Sequence, residues 1–325
     1  MRAFLIGMGI CALQACGAAP LAQTTYPTLS GEPPLIIAHR GASGTMPEHT
    51  IEAYTVAIQQ GADFIEPDLV MTQDGVLIVR HDRFLSTTTN VADHLEFADR
   101  KRTEETLNGP REDWWAEDFT LEEIKTLRAR QPYAGRSKEF DDEFTIPTFR
   151  EVVALATASG VGLYPETKSP SHHAAIGLDM KTPLLEALDG VQVPVFIQSF
   201  EAQILRELDP MTEYNLVQLY SGDPRAAMAG FEPPLEEAAT YADGVGPYKL
   251  LLWSAPGIPS DLLDRAHALG LQVHPWTFRD DNLPDEFETP ESEFQAYWAL
   301  GVDGVFTDFP GTASALRDQT DADRP

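Results

Sequence analysis

From residue 35 onward, short apolar runs that end in polar side chains alternate with segments whose apolar residues recur every three or four positions. The strand-like runs cover 35–39, 64–70, 162–168, 195–200, 214–220, 243–248, 272–278 and 303–308. The helix-like segments cover 49–60, 148–159, 180–189, 201–208, 234–242, 258–269 and 291–300, with a weaker one from 311. Strands that are each followed by a helix predict an α/β fold, a parallel sheet closed into a (β/α)8 TIM barrel. The run 76–82 departs from the alternation. It follows the turn signal Asp74-Gly75 and reads as the return arm of a hairpin that extends the second strand. With Asp74-Gly75 at the centre, Gln73 pairs with Val76 and Asp68 falls opposite His81.

Polar residues gather at the carboxyl ends of the predicted strands: His39-Arg40, Glu66 and Asp68, Glu166 and Lys168, Gln198, Trp276 and Asp308. In a barrel of this kind that end carries the active site. Glu66 and Asp68 share one strand face about 6–7 Å apart, and the expected hairpin register adds His81 to the same face. Clustered carboxylates suit a hard, oxygen-seeking cation, and histidine carries protons near neutrality. That mixture fits phosphodiester hydrolysis, which needs a cation on the non-bridging oxygens, a base for the nucleophile and an acid for the leaving alcohol. Taken singly, Glu66 and Asp68 read more readily as a solvated strand face than as a ligand pair, and His81-Asp82 as a loop hydrogen bond. Their joint placement favours a site.

The stretch 83–147 does not continue the alternation and reads as an insertion capping the active-site face. It holds Thr87-Thr88-Thr89, the charged run 99–105, Trp114-Trp115 and an amphipathic segment at 121–127. The tryptophan pair is expected to pack the insertion rather than to meet a membrane, because its surroundings are acidic. The barrel then comprises 35–82 and 148–319.

Charge changes the picture of partners. The chain of 325 residues carries a formal net charge of −28, which disfavours nucleic acid and any electrostatic grip on anionic lipid. A phosphate site must therefore be a local positive island made by a metal, Arg40 and Lys168. The amino terminus reads as a leader over 1–15, with an apolar core too short to span a bilayer. Leu13-Gln14-Ala15-Cys16 resembles a bacterial lipobox, and no cysteine follows Cys16. Residues 16–34 are then expected to be a tether. An ordinary secretory cleavage near Ala18 or Ala22 is the alternative.

The quoted residues resemble the glycerophosphodiester phosphodiesterase family, especially its bacterial periplasmic branch. The matching runs are 38–44, 46–50, 66–72, His81-Asp82, 164–168, 198–200, 241–247 and 306–310, in order along nearly the whole mature chain. The resemblance implies that Glu66, Asp68 and Glu166 ligate a divalent cation, calcium in the periplasmic branch and magnesium elsewhere. Three carboxylates without a histidine ligand fit a hard cation rather than zinc. It further implies that His39 and His81 form the acid/base pair, taken here as base and acid respectively, and that Arg40 and Lys168 hold the phosphate. Phe200 and Trp276 are candidate apolar walls for the glycerol carbons. Where many members have Asn after Pro-Glu, this chain has His49, as in the periplasmic branch; it is read as local structure. His172-His173 hints at a transition metal, but no neighbouring carboxylate or cysteine in sequence completes a site. His94 and His267 carry no functional signal, and His274 points either to the barrel mouth or to its core.

The implied reaction converts glycerophosphocholine, glycerophosphoethanolamine and similar small diesters to sn-glycerol 3-phosphate and an alcohol. The nucleophile, water or the substrate's own 2-hydroxyl, stays open, as does the oligomeric state. The implied location is the periplasm or cell envelope, with membrane attachment only through a lipid on Cys16. Two rivals remain: a phospholipase-type enzyme acting on intact lipid, and a binding lipoprotein without catalysis on the same barrel.

Overall fold

The computed structural model describes residues 26–106, 109–221 and 232–322. Its strands are, in chain order, β1 (Leu35–His39), β2 (Phe64–Glu66), β3 (Asp68–Met71), β4 (Leu77–Val79), β5 (Arg102–Thr106), β6 (Gly109–Asp113), β7 (Gly162–Leu163), β8 (Glu166–Thr167), β9 (Phe196–Ser199), β10 (Asn215–Tyr220), β11 (Gly244–Pro247), β12 (Trp253–Ala255), β13 (Ile258–Pro259), β14 (Gln272–Val273) and β15 (Gly304–Thr307). Pro67 and Pro165 each interrupt what the apolar pattern predicts as one strand, since proline has no N–H for the ladder. The parallel order is therefore β1, β2 with β3, β7 with β8, β9, β10, β11, β14, β15. Isolated bridges Leu163↔Val195 and Phe278↔Thr307 join the two sheets and complete the circuit. The predicted barrel is the architecture found.

Alternation along these strands decides what faces inward. Ile37, Phe64, Tyr164, Phe196, Val217 and Phe306 pack together inside the barrel, while their neighbours Ile36, Ile65 and Leu163 pack outward against helices. Two residues beyond the inner layer, the same parity brings His39, Glu66 and Glu166 to the carboxyl-end mouth. His274 belongs to the core: it is fully buried and hydrogen-bonds the Tyr164 hydroxyl at 2.8 Å.

The helices start where their capping residues stand. Thr50 accepts from Ala53 N ahead of Ile51–Gln59, and Thr148 with Glu151 forms a capping box before Phe149–Ser159. Two predicted helices are shorter than their apolar pattern. The segment 234–242 is helical only over Leu235–Ala238, and 258–269 only over Leu262–Ala268, because Ile258–Pro259 pairs with Trp253–Ala255 instead.

The hairpin register corrects the sequence expectation. Leu69 pairs with Val79 and Met71 with Leu77, so Asp68 stands opposite Arg80, not His81. The loop has three residues, Gln73, Asp74 and Gly75. Thr72 Oγ1 donates to Asp74 Oδ1 at 2.6 Å and accepts from Val76 N at 3.0 Å, and Gly75 takes the left-handed conformation that this longer loop requires. A one-residue slip would turn each side chain of the arm to the other face. His81 reaches the site regardless, because it lies past the end of β4, where the pleat no longer dictates direction.

The insertion has its own apolar cluster, including Leu85, Phe97, Trp114, Phe119 and Ile124, built onto Val70 and Ile78 of the hairpin. Trp114 and Trp115 are both buried, as the acidic surroundings predicted. The described part of the expected tether does not hang free. Residues 26–34 fold into a turn against the barrel's amino end, where Leu29 N donates to Asp303 Oδ1 at 2.6 Å. Residues 1–25, with the expected leader and Cys16, lie outside the described residues.

Candidate active site

Glu66, Asp68 and Glu166 converge as the resemblance implied. Their nearest oxygens lie within 4.8 Å of one another and all three side chains are buried. Backbone register does this directly: Asp68 pairs with Glu166 across β3 and β8, and Glu166 with Gln198 across β8 and β9. Burial and mutual repulsion push the Glu66 carboxyl well above the ordinary range, and burial pushes Glu166 up to about 8. Burial would raise Asp68 too, but Lys168, His81 and His49 outweigh it and hold this carboxyl well below its usual value. Asp68 Oδ1 is buried without a hydrogen-bond partner among the described residues. Three buried carboxylates with an orphaned oxygen form a donor set that fits a hard divalent cation.

The supporting cations are close. Lys168 Nζ lies 2.7 Å from Glu166 Oε1 and 3.8 Å from Asp68 Oδ1. Arg40 pairs with Glu48 at 3.1 Å and approaches Asp68 at 3.4 Å. Its backbone N–H donates to Glu66 Oε2 at 2.9 Å, a contact made in the left-handed region at φ 60°. Such a conformation costs a non-glycine residue on the order of 1–3 kcal/mol and tends to accompany function. Gly41 next to it is obligatory for space, since a Cβ there would meet the Ala53 backbone at 2.7 Å.

His39 and His81 border the same cleft, together with Lys168, Phe200 and Trp276. His39 Nδ1 lies 2.6 Å from Asp308 Oδ1, which assigns the proton to Nδ1 and leaves Nε2 as a free base. Burial pushes the His39 imidazole down to about 4, so it is neutral at pH 7. His81 is 31% exposed and contacts Asp82 Oδ1 through Nδ1 at 3.0 Å. Burial lowers it as well, with Arg40 and Lys168 adding to the effect, while Asp68 and Asp82 oppose it. Phe200 and Trp276 meet edge-on at 5.7 Å and form one wall.

Three residues acquire partners that sequence reasoning missed. His49 is not merely local: it is fully buried, and its Nε2 lies 2.8 Å from Asp68 Oδ2 while Nδ1 lies 2.7 Å from the Tyr54 hydroxyl. With its imidazole lowered to about 4 by burial, Nε2–H donates to Asp68 and orients that carboxylate. His172 does find a carboxylate, Glu117 Oε1 at 3.1 Å, from the distant insertion. Glu104, Glu117 and His172 could meet around a cation, but Arg83 and Arg102 already hold both carboxylates, making this an ion-pair network. Asp308 gains Arg136 and Arg279, both donating to Oδ2, at 2.6 and 2.8 Å. His94 and His267 bind Glu96 and Asp303 away from the cleft.

Comparison with known proteins finds relatives along most of the chain. Residues 39–312 match the Glycerophosphoryl diester phosphodiesterase family. The chain is 39% identical over 315 residues to a glycerophosphodiester phosphodiesterase of Arabidopsis thaliana, covering 86% of this chain and 84% of that one. It is 33% identical over 329 residues to a glycerophosphodiester phosphodiesterase of Haemophilus influenzae, covering 86% and 88%. Among solved structures, a putative glycerophosphoryl diester phosphodiesterase from Silicibacter pomeroyi superposes with a TM-score of 0.68 at 22% identity, covering 91% of this chain and 98% of that one. An Oleispira antarctica phosphodiesterase in complex with the product sn-glycerol-3-phosphate superposes at 0.66 and 22%, covering 90% and 99%. With the barrel, the carboxylate triad and the two histidines in place, the chain belongs to the glycerophosphodiester phosphodiesterase family.

Proposed function

We propose that the protein hydrolyses small glycerophosphodiesters to sn-glycerol 3-phosphate and an alcohol, with calcium as the first choice of cation and magnesium as the second. The observation that carries this reading is the convergence of His39, His81 and the Glu66–Asp68–Glu166 triad on one cleft. The bound cation would polarise the non-bridging phosphate oxygens. Arg40 and Lys168 add positive charge on the same wall and offset the carboxylates. His39, neutral with a free Nε2, takes the proton of the attacking hydroxyl. His81, whose protonated form Asp68 and Asp82 favour against burial, gives a proton from that form to the leaving alcohol. Phe200 and Trp276 shield the glycerol carbons from water.

The cleft disfavours intact diacyl lipid. Of the exposed large apolar side chains among the described residues, only Phe200 lines it, and the others, such as Leu95 and Met211, are scattered. Among the described residues no helix is long and apolar enough to cross a membrane. A panel of glycerophosphocholine, glycerophosphoethanolamine, glycerophosphoglycerol, bis(p-nitrophenyl) phosphate and phosphatidylcholine tests the reading. We expect similar kcat/KM for the three glycerol diesters and at least about a hundredfold less for the other two, as a lost set of polar contacts implies. Preference for phosphatidylcholine would establish the phospholipase reading, and no turnover of any diester the binding-protein reading.

We further place the chain in the periplasmic branch, anchored at the cell envelope through Cys16. The support is the lipobox-like run 13–16 behind an apolar core, the lack of any later cysteine and His49 after Pro47-Glu48. Cys16→Ser should move the protein out of the membrane fraction. A mature protein that begins near Gln23 and is soluble would exclude the anchor.

A further inference from the structure

Arg136 belongs to the insertion, yet its side chain is only 3% exposed because it enters the barrel mouth. There it donates to Asp308 Oδ2 at 2.6 Å, to Ser43 O at 3.1 Å and to Asp281 at 2.8 and 3.2 Å. The ring of Tyr133 stacks on its guanidinium at 4.3 Å. Arg279 donates to the same Asp308 oxygen from the barrel side. The other oxygen, Oδ1, is left to His39. A second insertion residue holds the loop behind His39: Gln131 Nε2 donates to Ser43 O at 2.9 Å and Met46 O at 3.0 Å, and Ser43 Oγ donates to His39 O at 2.8 Å.

We propose that Arg136, acting with Arg279, locks Asp308 as a positioning residue for His39, so that the insertion helps to orient the base of a barrel it only borders. The inference rests on the hydrolase reading for the consequence in turnover, and on geometry alone for the orientation. A carboxylate with one free oxygen can pivot and let the imidazole rotate; one whose second oxygen is held by two guanidiniums cannot. The imidazole then keeps Nδ1–H on Asp308 and presents Nε2 to the cleft. Arg279 alone would leave Asp308 anchored from one side, and the Ser43 loop would lose a donor. A side chain held within fractions of an ångström of its working geometry is what catalysis by a placed base requires.

The experiment compares wild type, Asp308→Asn, Arg136→Met, Arg136→Lys and Arg130→Met in two measurements. Arg130 serves as the control because it lies in the same insertion but pairs with Asp93 and Asp142, away from the site. The first measurement is kcat and KM for glycerophosphocholine with saturating calcium. Asp308→Asn should lower kcat by about a hundredfold or more, since an amide facing Nδ1 favours the wrong tautomer. Arg136→Met should lower kcat about tenfold with KM within about twofold, Arg136→Lys should recover part of the loss, and Arg130→Met should leave kcat unchanged. The second is the downfield proton resonance of His39 Nδ1–H, which needs no substrate. It should vanish in Asp308→Asn, shift in Arg136→Met and stay put in Arg130→Met. Unchanged kcat and resonance in Arg136→Met, or an equal loss in Arg130→Met, would overturn the proposal. If Arg136→Met does not fold, Asp308→Asn and Arg136→Lys decide by the same criteria. A wild type that shows the resonance but turns over no glycerophosphodiester would refute the functional reading and leave the orientation standing.

Discussion

Chelation of divalent cations should abolish turnover, and calcium or magnesium should restore it. Replacing any one of the three carboxylates, as in Glu66→Gln, Asp68→Asn or Glu166→Gln, should lower kcat/KM by about a thousandfold or more at fixed cation concentration, because each exchanges a charged carboxylate for a neutral amide with a single, weaker oxygen donor. The expectation rests on an electrostatic conflict within the apo site. Burial raises Glu66 and brings Glu166 up to about 8, so the metal-free protein retains protons on this triad at neutral pH. Carboxyls whose folded pKa lies above the unfolded value favour folding fully below about pH 4.5, and that contribution is lost as pH rises towards 8. A cation held by the three carboxylates would supply the compensating charge and displace those protons. Its addition to chelated protein should therefore raise Tm, and by more at pH 8 than at pH 5. Scanning calorimetry at the two values, with and without calcium, checks the sign. Full turnover in metal-free protein, with no cation-dependent Tm gain, would reduce the triad to a structural feature.

His39→Ala and His81→Ala should each lower kcat by about 10²–10⁴-fold, the usual contribution of a placed proton carrier, while leaving the barrel folded. His39→Ala leaves Asp308 paired with Arg136 and Arg279, so no buried charge is orphaned. His81 is already partly exposed and lies beyond β4. Circular dichroism and Tm should stay close to wild type. By contrast His274→Ala, in the barrel interior, should cost stability first. The assignment of base and acid separates on the leaving group. With the p-nitrophenyl ester of glycerol phosphate, whose alcohol leaves without a proton, His81→Ala should recover most of its activity and His39→Ala should not. Recovery by the opposite variant would exchange the two roles, and near-wild-type turnover of either folded variant on glycerophosphocholine would remove it from the mechanism.

Much of this site is legible from local pattern because a parallel barrel translates strand alternation directly into position. His39, Glu66 and Glu166 lie on the parity that faces inward, at strand ends that face the mouth, so a linear reading places them together. Lys168 follows Glu166 by two residues and shares its face for the same reason. Errors arise where local signals compete. At the Asp74-Gly75 turn, a two-residue loop was expected from the dipeptide, but the Thr72 hydroxyl bonds to Asp74 and Val76 and stabilises a three-residue loop. At 258–269, apolar spacing fits a helix, yet its first residues pair with Trp253–Ala255, since the short hairpin satisfies their backbone groups earlier in the chain.

Periodicity and turn signals by themselves determined the repeated strand–helix unit, the gathering of polar residues at the carboxyl ends of the strands and the break in alternation at 83–147. These depend on interactions between residues near in sequence, or on a twofold pleat that holds for any parallel sheet. Only the tertiary structure decided that Asp308 meets His39 across 269 residues, that Arg136 meets Asp308 across 172, that His49 orients Asp68 and that His172 reaches Glu117. No periodic signal encodes such pairs. They exist because closing the circuit brings β15 beside β1, and because docking the insertion drives its arginine into the mouth. There, out of water, each buried charge requires a partner of opposite sign.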